Sequence, residues 1–477
     1  MLHHEDISKV QEIKGKFKVN WLSSSYLRSH LDILGFSRIK RSLESCKKGG
    51  ICVNDLLSAL LVLPILGINT IHSLTKSDNS TIGIAGKDSY YRLLANQQIN
   101  WRSFLMSFVK EYLVKDLSFS KPDNPTKCLI FDDTDIIKTG KTIEGISKVF
   151  NHVSKTYYFG FKLLVAGYWN GSVFIPVDFS FHRENKNSKN KYGLTSKQRK
   201  NQKQTTRCKS TKASKRYLEL NTKKTDMLIS MFARICKRNI AVDYILIDSW
   251  FTSISLIKRI QKVNKDVHVI GMYKYNSKID VSGKPISLKD LKAKGVKPKR
   301  CRKLKYYYHQ YKSEIDGVKV SVFISRRGVN GKWHTILSTD TNLSFVKALE
   351  TYSIRWTIEV FFKEAKQLFK LGSCQSTNFD VQIAQTTITM IQYLLTSIRY
   401  RMEAYETIGG LFRNLKQGYI DQKLNDRILA VISQIMIILE KFTNEIDYKR
   451  IAQELINNTE DFLFPAENKP PIIQSNG

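Results

Sequence analysis

Lys127-Cys-Leu-Ile-Phe-Asp-Asp-Thr-Asp135 marks a change of texture along the chain. Its apolar run is too short for a helix and ends in acids, so it reads as a strand that delivers carboxylates to its end. Strand-like runs follow at 159–168 and 173–181, with Asn170-Gly171 between them as a hairpin signal. Three such strands in succession point to the antiparallel start of a mixed sheet. Further on, a helical pattern (218–237), an apolar run (242–247), a second helical pattern (253–263) and a second apolar run (267–272) alternate as an α/β unit does.

The flanks differ from this α/β core. Residues 1–120 carry apolar residues at helical spacing in 26–45, 54–66 and 101–113, broken by joints such as Gly49-Gly50. Residues 273–340 are strand-rich and turn-rich. Ser344 is placed to cap a long helix reaching about Lys370, and helical patterns recur at 380–402 and 425–443. The expected organisation is therefore a helical N-terminal domain (1–120), the first part of the core (121–272), an all-β insertion (273–340), the return of the core (341–410) and a helical C-terminal region with a loose tail (411–477). Within the core, residues 185–216 hold twelve Lys or Arg and no acid. Such a composition predicts a flexible basic loop.

Charge narrows the partner. Among 477 residues, 77 Lys and Arg against 42 Asp and Glu leave a net charge of +35, which favours a polyanion and above all nucleic acid. A ribosome-associated or anionic-membrane protein would share that balance. Seven dispersed cysteines without a C-x-x-C pair argue against a disulfide framework and a structural zinc site, as expected in a reducing compartment. The longest apolar run, 56–68, is too short to span a bilayer and contains Pro64. The N-terminus lacks a signal-peptide pattern. A soluble, cytoplasmic chain with no membrane partner is expected. His152 and His182 lack paired spacing and read as structural. Lys138-Thr-Gly-Lys141 falls short of a full phosphate-loop pattern.

Acids stand at the ends of two strand-like runs, Asp132 and Asp133 at the first and Asp248 at the second, and Glu359 lies on the long helix. Strand ends open into the crevice where α/β sheets bind ligands. Three carboxylates converging there suit two magnesium ions, which prefer oxygen donors and could act on a phosphodiester. On the helix, Tyr352, Arg355, Glu359 and Lys366 fall within an arc of roughly 60° at about 100° per residue. Ile354, Ile358, Phe361 and Ala365 occupy another face, suited to packing. An ordinary surface helix has the same two faces.

Tyr352-x2-Arg355-x3-Glu359-x6-Lys366, set in Tyr352-Ser-Ile-Arg-Trp-Thr-Ile-Glu359, resembles the Y-x2-R-x3-E-x6-K signature of bacterial insertion-sequence DDE transposases. The order of Asp-Asp-Thr134, Asp248, a β-rich insertion and the glutamate helix is similar too, over roughly residues 125–400. The resemblance implies an RNase H-like mixed-sheet catalytic core of the α/β class, with Asp248, Glu359 and one of Asp132 and Asp133 as metal ligands. Asp132 is preferred because it directly follows the apolar run. Mg²⁺ is the implied cofactor, with Mn²⁺ as a substitute. Tyr352, Arg355 and Lys366 would hold double-stranded DNA at terminal inverted repeats, which the N-terminal domain would recognise. Trp333 resembles a base-stacking tryptophan in placement, and reads equally as an ordinary aromatic of the β insertion. A homodimer synapsing two ends follows from the same resemblance. The competing readings are a DNA-binding relative without catalysis and a structure-specific nuclease.

Overall fold

The computed structural model describes residues 41–402, apart from 48, 65–66, 69, 77–84, 117–124, 153, 186–189, 282–283, 288 and 291–296, together with 413 and 417. The expected helix at 425–443 and the tail lie outside the described residues. The chain divides into two compact units. Among described residues, one contains 54–90 and the chain from Leu395 onward, and the other contains 41–53 and 91–394. In the first unit lie Ile71–Lys76, most of Val53–Val62, the first half of Lys87–Leu94 and the end of Phe379–Met402 from Leu395. Leu56, Leu57, Leu60 and Leu74 are buried there.

The second unit is built on one ten-stranded sheet. Its strands are β1 (Cys128–Ile137), β2 (Ser147–Asn151), β3 (Thr156–Trp169), β4 (Phe174–His182), β5 (Tyr244–Ile247), β6 (His268–Met272), β9 (Lys299–Cys301), β10 (Tyr306–Ile315), β11 (Val318–Arg327) and β12 (His334–Ser338). β7 (Lys278–Val281) and β8 (Lys284–Ser287) make a separate two-stranded ribbon. The main order is β2-β3-β1-β5-β6-β12-β11-β10-β9, with β4 also paired to β3. β1, β5 and β6 run parallel, and β3 runs antiparallel to β1. The strands between 299 and 338 thus continue the central sheet through β12 on β6.

The main helices of this unit are α1 (Trp101–Asp116), α2 (Lys212–Leu218), α3 (Lys224–Cys236), α4 (Ile254–Val263), α5 (Phe345–Ser353), α6 (Trp356–Gln367) and, as far as Leu394, α7 (Phe379–Met402). α1, read above with the N-terminal helical segment, packs on β4. α3 packs on β3 and β4, α5 on β6 and β12, and α6 on β1 and β4. One missing side chain seats α6. A Cβ on Gly167 would lie 2.1 Å from the Phe174 ring; without it that ring fits against β3 and stacks on Phe361 of α6 at 5.2 Å.

The basic segment is ordered where it is described, and this corrects the expectation of a flexible loop. Thr195 caps a short helix, Ser196–Lys200, with a complete capping box, and α2 follows. Arg207 is buried and donates to Glu144 at 2.6 and 2.7 Å and to Asp380 at 3.0 Å. The acids that neutralise this segment come from distant parts of the sequence, which its composition cannot reveal. Lys138 is similarly structural: its buried ammonium donates to the carbonyls of Gly372 and Cys374 and to Gln382.

Candidate functional site

β1 runs on through its acids to Ile137, and its pairing decides which of them meet. Parallel pairing to β5 stops at Phe131↔Ile247. Asp132 and Asp248 therefore follow at the same level, where the two strands part. Successive strand side chains point to opposite faces, so Asp132 and Asp133 separate. Asp132 faces the glutamate helix, accepting from Arg355 Nη1 at 2.8 Å and from the Asp133 amide at 2.8 Å. Asp133 accepts from Lys224 Nζ of α3 at 2.6 Å.

Asp248 is fixed by the turn it begins. Its Oδ1 accepts from the amides of Trp250 (3.0 Å) and Phe251 (3.1 Å), and Thr252 Oγ1 donates to its carbonyl at 2.6 Å. Gly271 on β6 makes room for this turn, since a Cβ there would lie 2.3 Å from Thr252 Oγ1.

The long helix expected from 344 is two helices, with Ser344 accepting from Lys347 N as cap. At the joint, Ile354, Arg355, Thr357 and Ile358 donate backbone bonds three residues back, at 3.0–3.2 Å. Ser353 and Thr357 hydroxyls donate to the carbonyls of Glu350 and Ile354, a side-chain competition that bends helices. Three-residue turns eclipse positions i and i+3. Arg355 accordingly sits with its guanidinium carbon 5.9 Å from the Tyr352 ring centroid. From there it bridges Asp132 and Glu359, the second contact being a short i,i+4 ion pair. Lys366, two turns beyond Glu359, donates to Thr134 Oγ1 of β1 at 2.7 Å. The signature residues thus run alongside β1 rather than along one straight helical stripe.

Charge is unevenly matched here. Burial pushes the Asp132 carboxyl up to about 7, with Asp248 adding to the rise and Arg355 pulling against it. Burial also raises Asp248 above its ordinary value, against two backbone N–H groups and Arg355. Tyr352, buried and near Asp248, is pushed up to about 12. Burial lowers the Lys366 ammonium. Both carboxyls stay above their ordinary range although Arg355 opposes the rise, and their oxygens are donors of the kind hard divalent cations prefer. No three His, Cys, Asp or Glu side chains among the described residues stand close enough to form a metal-ligating group, and Arg355 lies between Asp132 and Glu359.

Trp333 is not gathered with these residues. It precedes β12, three strands from β1, or about 15 Å at the usual strand spacing, and its ring neighbours are His309 at 5.7 Å and the Arg326 guanidinium at 4.8 Å. The exposed aromatic beside Asp248 is Trp250, 56 % accessible, with Lys224 Nζ 4.0 Å from its ring centroid. Sequence reading missed Lys224 and Trp250. Trp250 lies two residues from Asp248, but nothing in the sequence links Lys224 to Asp133. His182 is a core residue, bonded to Ser180 and to the Thr222 carbonyl.

No curated relative matches the chain. Among solved structures it resembles the piggyBac transposase synaptic complex with hairpin DNA, at 12 % identity and a TM-score of 0.39, over 95 % of this chain and 84 % of that one. Residues 124–395, more than half of the chain, match the transposase DDE domain. That span contains both strand-end aspartates, the whole β-rich stretch and the glutamate helix, and the chain belongs to the transposase DDE domain family.

Proposed function

We propose that the chain is a cut-and-paste DNA transposase of an insertion sequence, cutting phosphodiester bonds at terminal inverted repeats and joining the freed 3′-hydroxyl to target DNA. Asp132, Asp248 and Glu359 are its metal-binding triad, for Mg²⁺ or Mn²⁺. The observation that carries this reading is the meeting of Asp132 and Asp248 at the parting of β1 and β5, with Asp132 tied through Arg355 to Glu359. Order β4-β3-β1-β5-β6, with β1, β5 and β6 parallel and β3 antiparallel to its neighbours, supports an RNase H-like core. When bound, divalent ions at such a site activate the attacking oxygen and stabilise the leaving one.

The chain's own residues prepare that chemistry. The Trp250 and Phe251 amides hold one Asp248 oxygen and leave its other for a ligand. Arg355 keeps Asp132 and Glu359 in place, and on releasing them offers its guanidinium to a backbone phosphate. Tyr352 and Lys366 flank it along the DNA path. Asp133, held by Lys224 on the opposite face, orients β1 and is not a ligand. The helical N-terminal segment binds the ends, a homodimer synapses two of them, and Trp333 contacts DNA at the margin.

DNA carrying the element's own ends, incubated with Mg²⁺, should be cut to 3′-hydroxyls and joined to a second duplex. Glu359→Gln should bind the ends and fail to cut them. Wild-type cutting by this variant sinks the triad, and cutting without joining turns the reading toward a nuclease.

A further inference from the structure

Behind β4 lies a cavity of about 380 Å³. Arg102 of α1, Arg216 of α2 and Arg234 of α3 line it, with Asp178 of β4 at its floor. Both Asp178 oxygens are taken, Oδ1 by Arg102 at 2.8 Å and Oδ2 by Arg234 at 2.7 Å. Glu219 accepts from Arg102 at 2.7 Å and from Arg216 at 3.0 Å. These bonds staple three helices to the sheet, and a purely structural cluster could end there.

This one carries more cation than stapling requires. Lys212, Lys215, Lys237 and Arg238 also line the cavity. They make no ion pair among the described residues. Seven cations thus face two acids, an excess of five. Arg216 is only 6 % exposed, yet its Nε and Nη2 have no hydrogen-bond partner among the described residues. Leaving buried donors unmade is costly, and the guanidinium fork matches the oxygens of a phosphate.

We propose that this cavity is a phosphate site that takes a backbone phosphate of DNA, away from the cutting centre. The DNA assignment rests on the reading of the chain as a DNA transposase. α3 links the cavity to β1: Lys224 at its start meets Asp133, the chain neighbour of Asp132, and Arg234 lies ten residues on, about 15 Å at 1.5 Å per residue. The cavity anchors a stretch of duplex whose other part reaches the carboxylates.

Salt dependence tests this. Binding of a random-sequence 30-base-pair duplex is measured against NaCl for the wild type and for the rim variant Lys215→Gln/Arg238→Gln, which leaves the buried staple intact. Each lost phosphate contact lowers the log–log slope by about one, so the rim variant should lose about two. Arg216→Gln, if it folds, should lose about one. An unchanged slope in the rim variant overturns the proposal. Inorganic pyrophosphate supplies the second arm: it should compete with the duplex on the wild type and not on the rim variant. If pyrophosphate raises the melting midpoint of the wild type alone while the DNA slopes agree, the cavity takes small phosphates and the DNA assignment falls. The transposase reading fails separately, by absence of end cutting in the wild type, and that outcome leaves the slopes interpretable.

Discussion

Two ion clusters on the same sheet have opposite stoichiometries. Behind β4, Arg102, Arg216 and Arg234 surround Asp178 and Glu219. Beyond β1, Arg355 stands alone among Asp132, Asp248 and Glu359, touching two of them. Asp178, although wholly buried, is held below its ordinary pKa, because Arg102 and Arg234 together outweigh its desolvation. Glu219 shares Arg102 and is pushed up to about 7 by burial. Asp178, with an arginine on each oxygen, is thus the acid this cluster keeps charged. At the other site burial wins for both Asp132 and Asp248. A cluster with surplus arginine is suited to an anion, and one with surplus carboxylate to a cation. The contrast separates an arginine-rich cluster from a carboxylate-rich one on the same sheet.

The largest effect that can break this comparison is on stability. Arg102→Met leaves Asp178 and Glu219 short of a partner in a dry environment and should cost about 3–5 kcal/mol in urea unfolding. Arg355→Met removes a guanidinium from a more open cluster and should cost about 1 kcal/mol or less. Equal losses would erase the distinction between the two.

Acid should act on Asp132 and Asp178 with opposite sign. Asp132, raised in the folded state, contributes stability that is full below about pH 4 and lost as pH rises through 7. Asp178, lowered, contributes stability present above about pH 4 and lost as pH falls further. With EDTA present, moving the wild type from pH 8 to pH 5.5 should therefore stabilise it, by about 2 kcal/mol from Asp132, with Glu219, likewise pushed up to about 7, adding to the rise. Asp132→Asn should lose the Asp132 share of this rise, and a rise of equal size in that variant would remove Asp132 as a source.

Divalent cation should substitute for acid. At pH 8, saturating Mg²⁺ should raise stability by about 1–2 kcal/mol through preferential binding to the folded state. Asp248→Asn should show little of it. The smallest effect is expected from Lys224→Ala, which frees Asp133 and uncovers Trp250, at about 0.5–1 kcal/mol. That variant should keep the Mg²⁺ response. Its loss would return Asp133 to the metal site and reverse the choice between the two neighbours.

Much of the fold was legible where local signals are strong. The strand at 128, the Asn170-Gly171 turn and the cap at Ser344 all form as the residues suggest, Asn170 accepting from the amides of Ser172 and Val173. Asp132 was preferred over Asp133 from its place after an apolar run, and the pleat turns it toward Glu359 through Arg355. Less legible was the joint at Ile354 and Arg355, because side-chain competition by Ser353 and Thr357 shifts the helical period over a few residues only. Treating 352–366 as one ideal helix placed the signature residues correctly relative to one another at i,i+4 and wrongly as a single straight stripe.

By itself the sequence determined the resemblance to DDE transposases, the alternation of strand and helix, and a charge surplus that calls for a polyanion. These properties are local or additive, so periodicity, spacing and counting suffice. Tertiary structure alone decided which charges neutralise which. Arg207 finds Glu144 and Asp380 across 63 and 173 residues, and Lys224 finds Asp133 across 91. A basic run that reads as a solvated loop becomes an ordered segment because its counter-ions arrive from other elements. Pairing at a distance depends on sheet register and on the direction each side chain takes from the pleat, and neither is written in the neighbours of a residue along the chain.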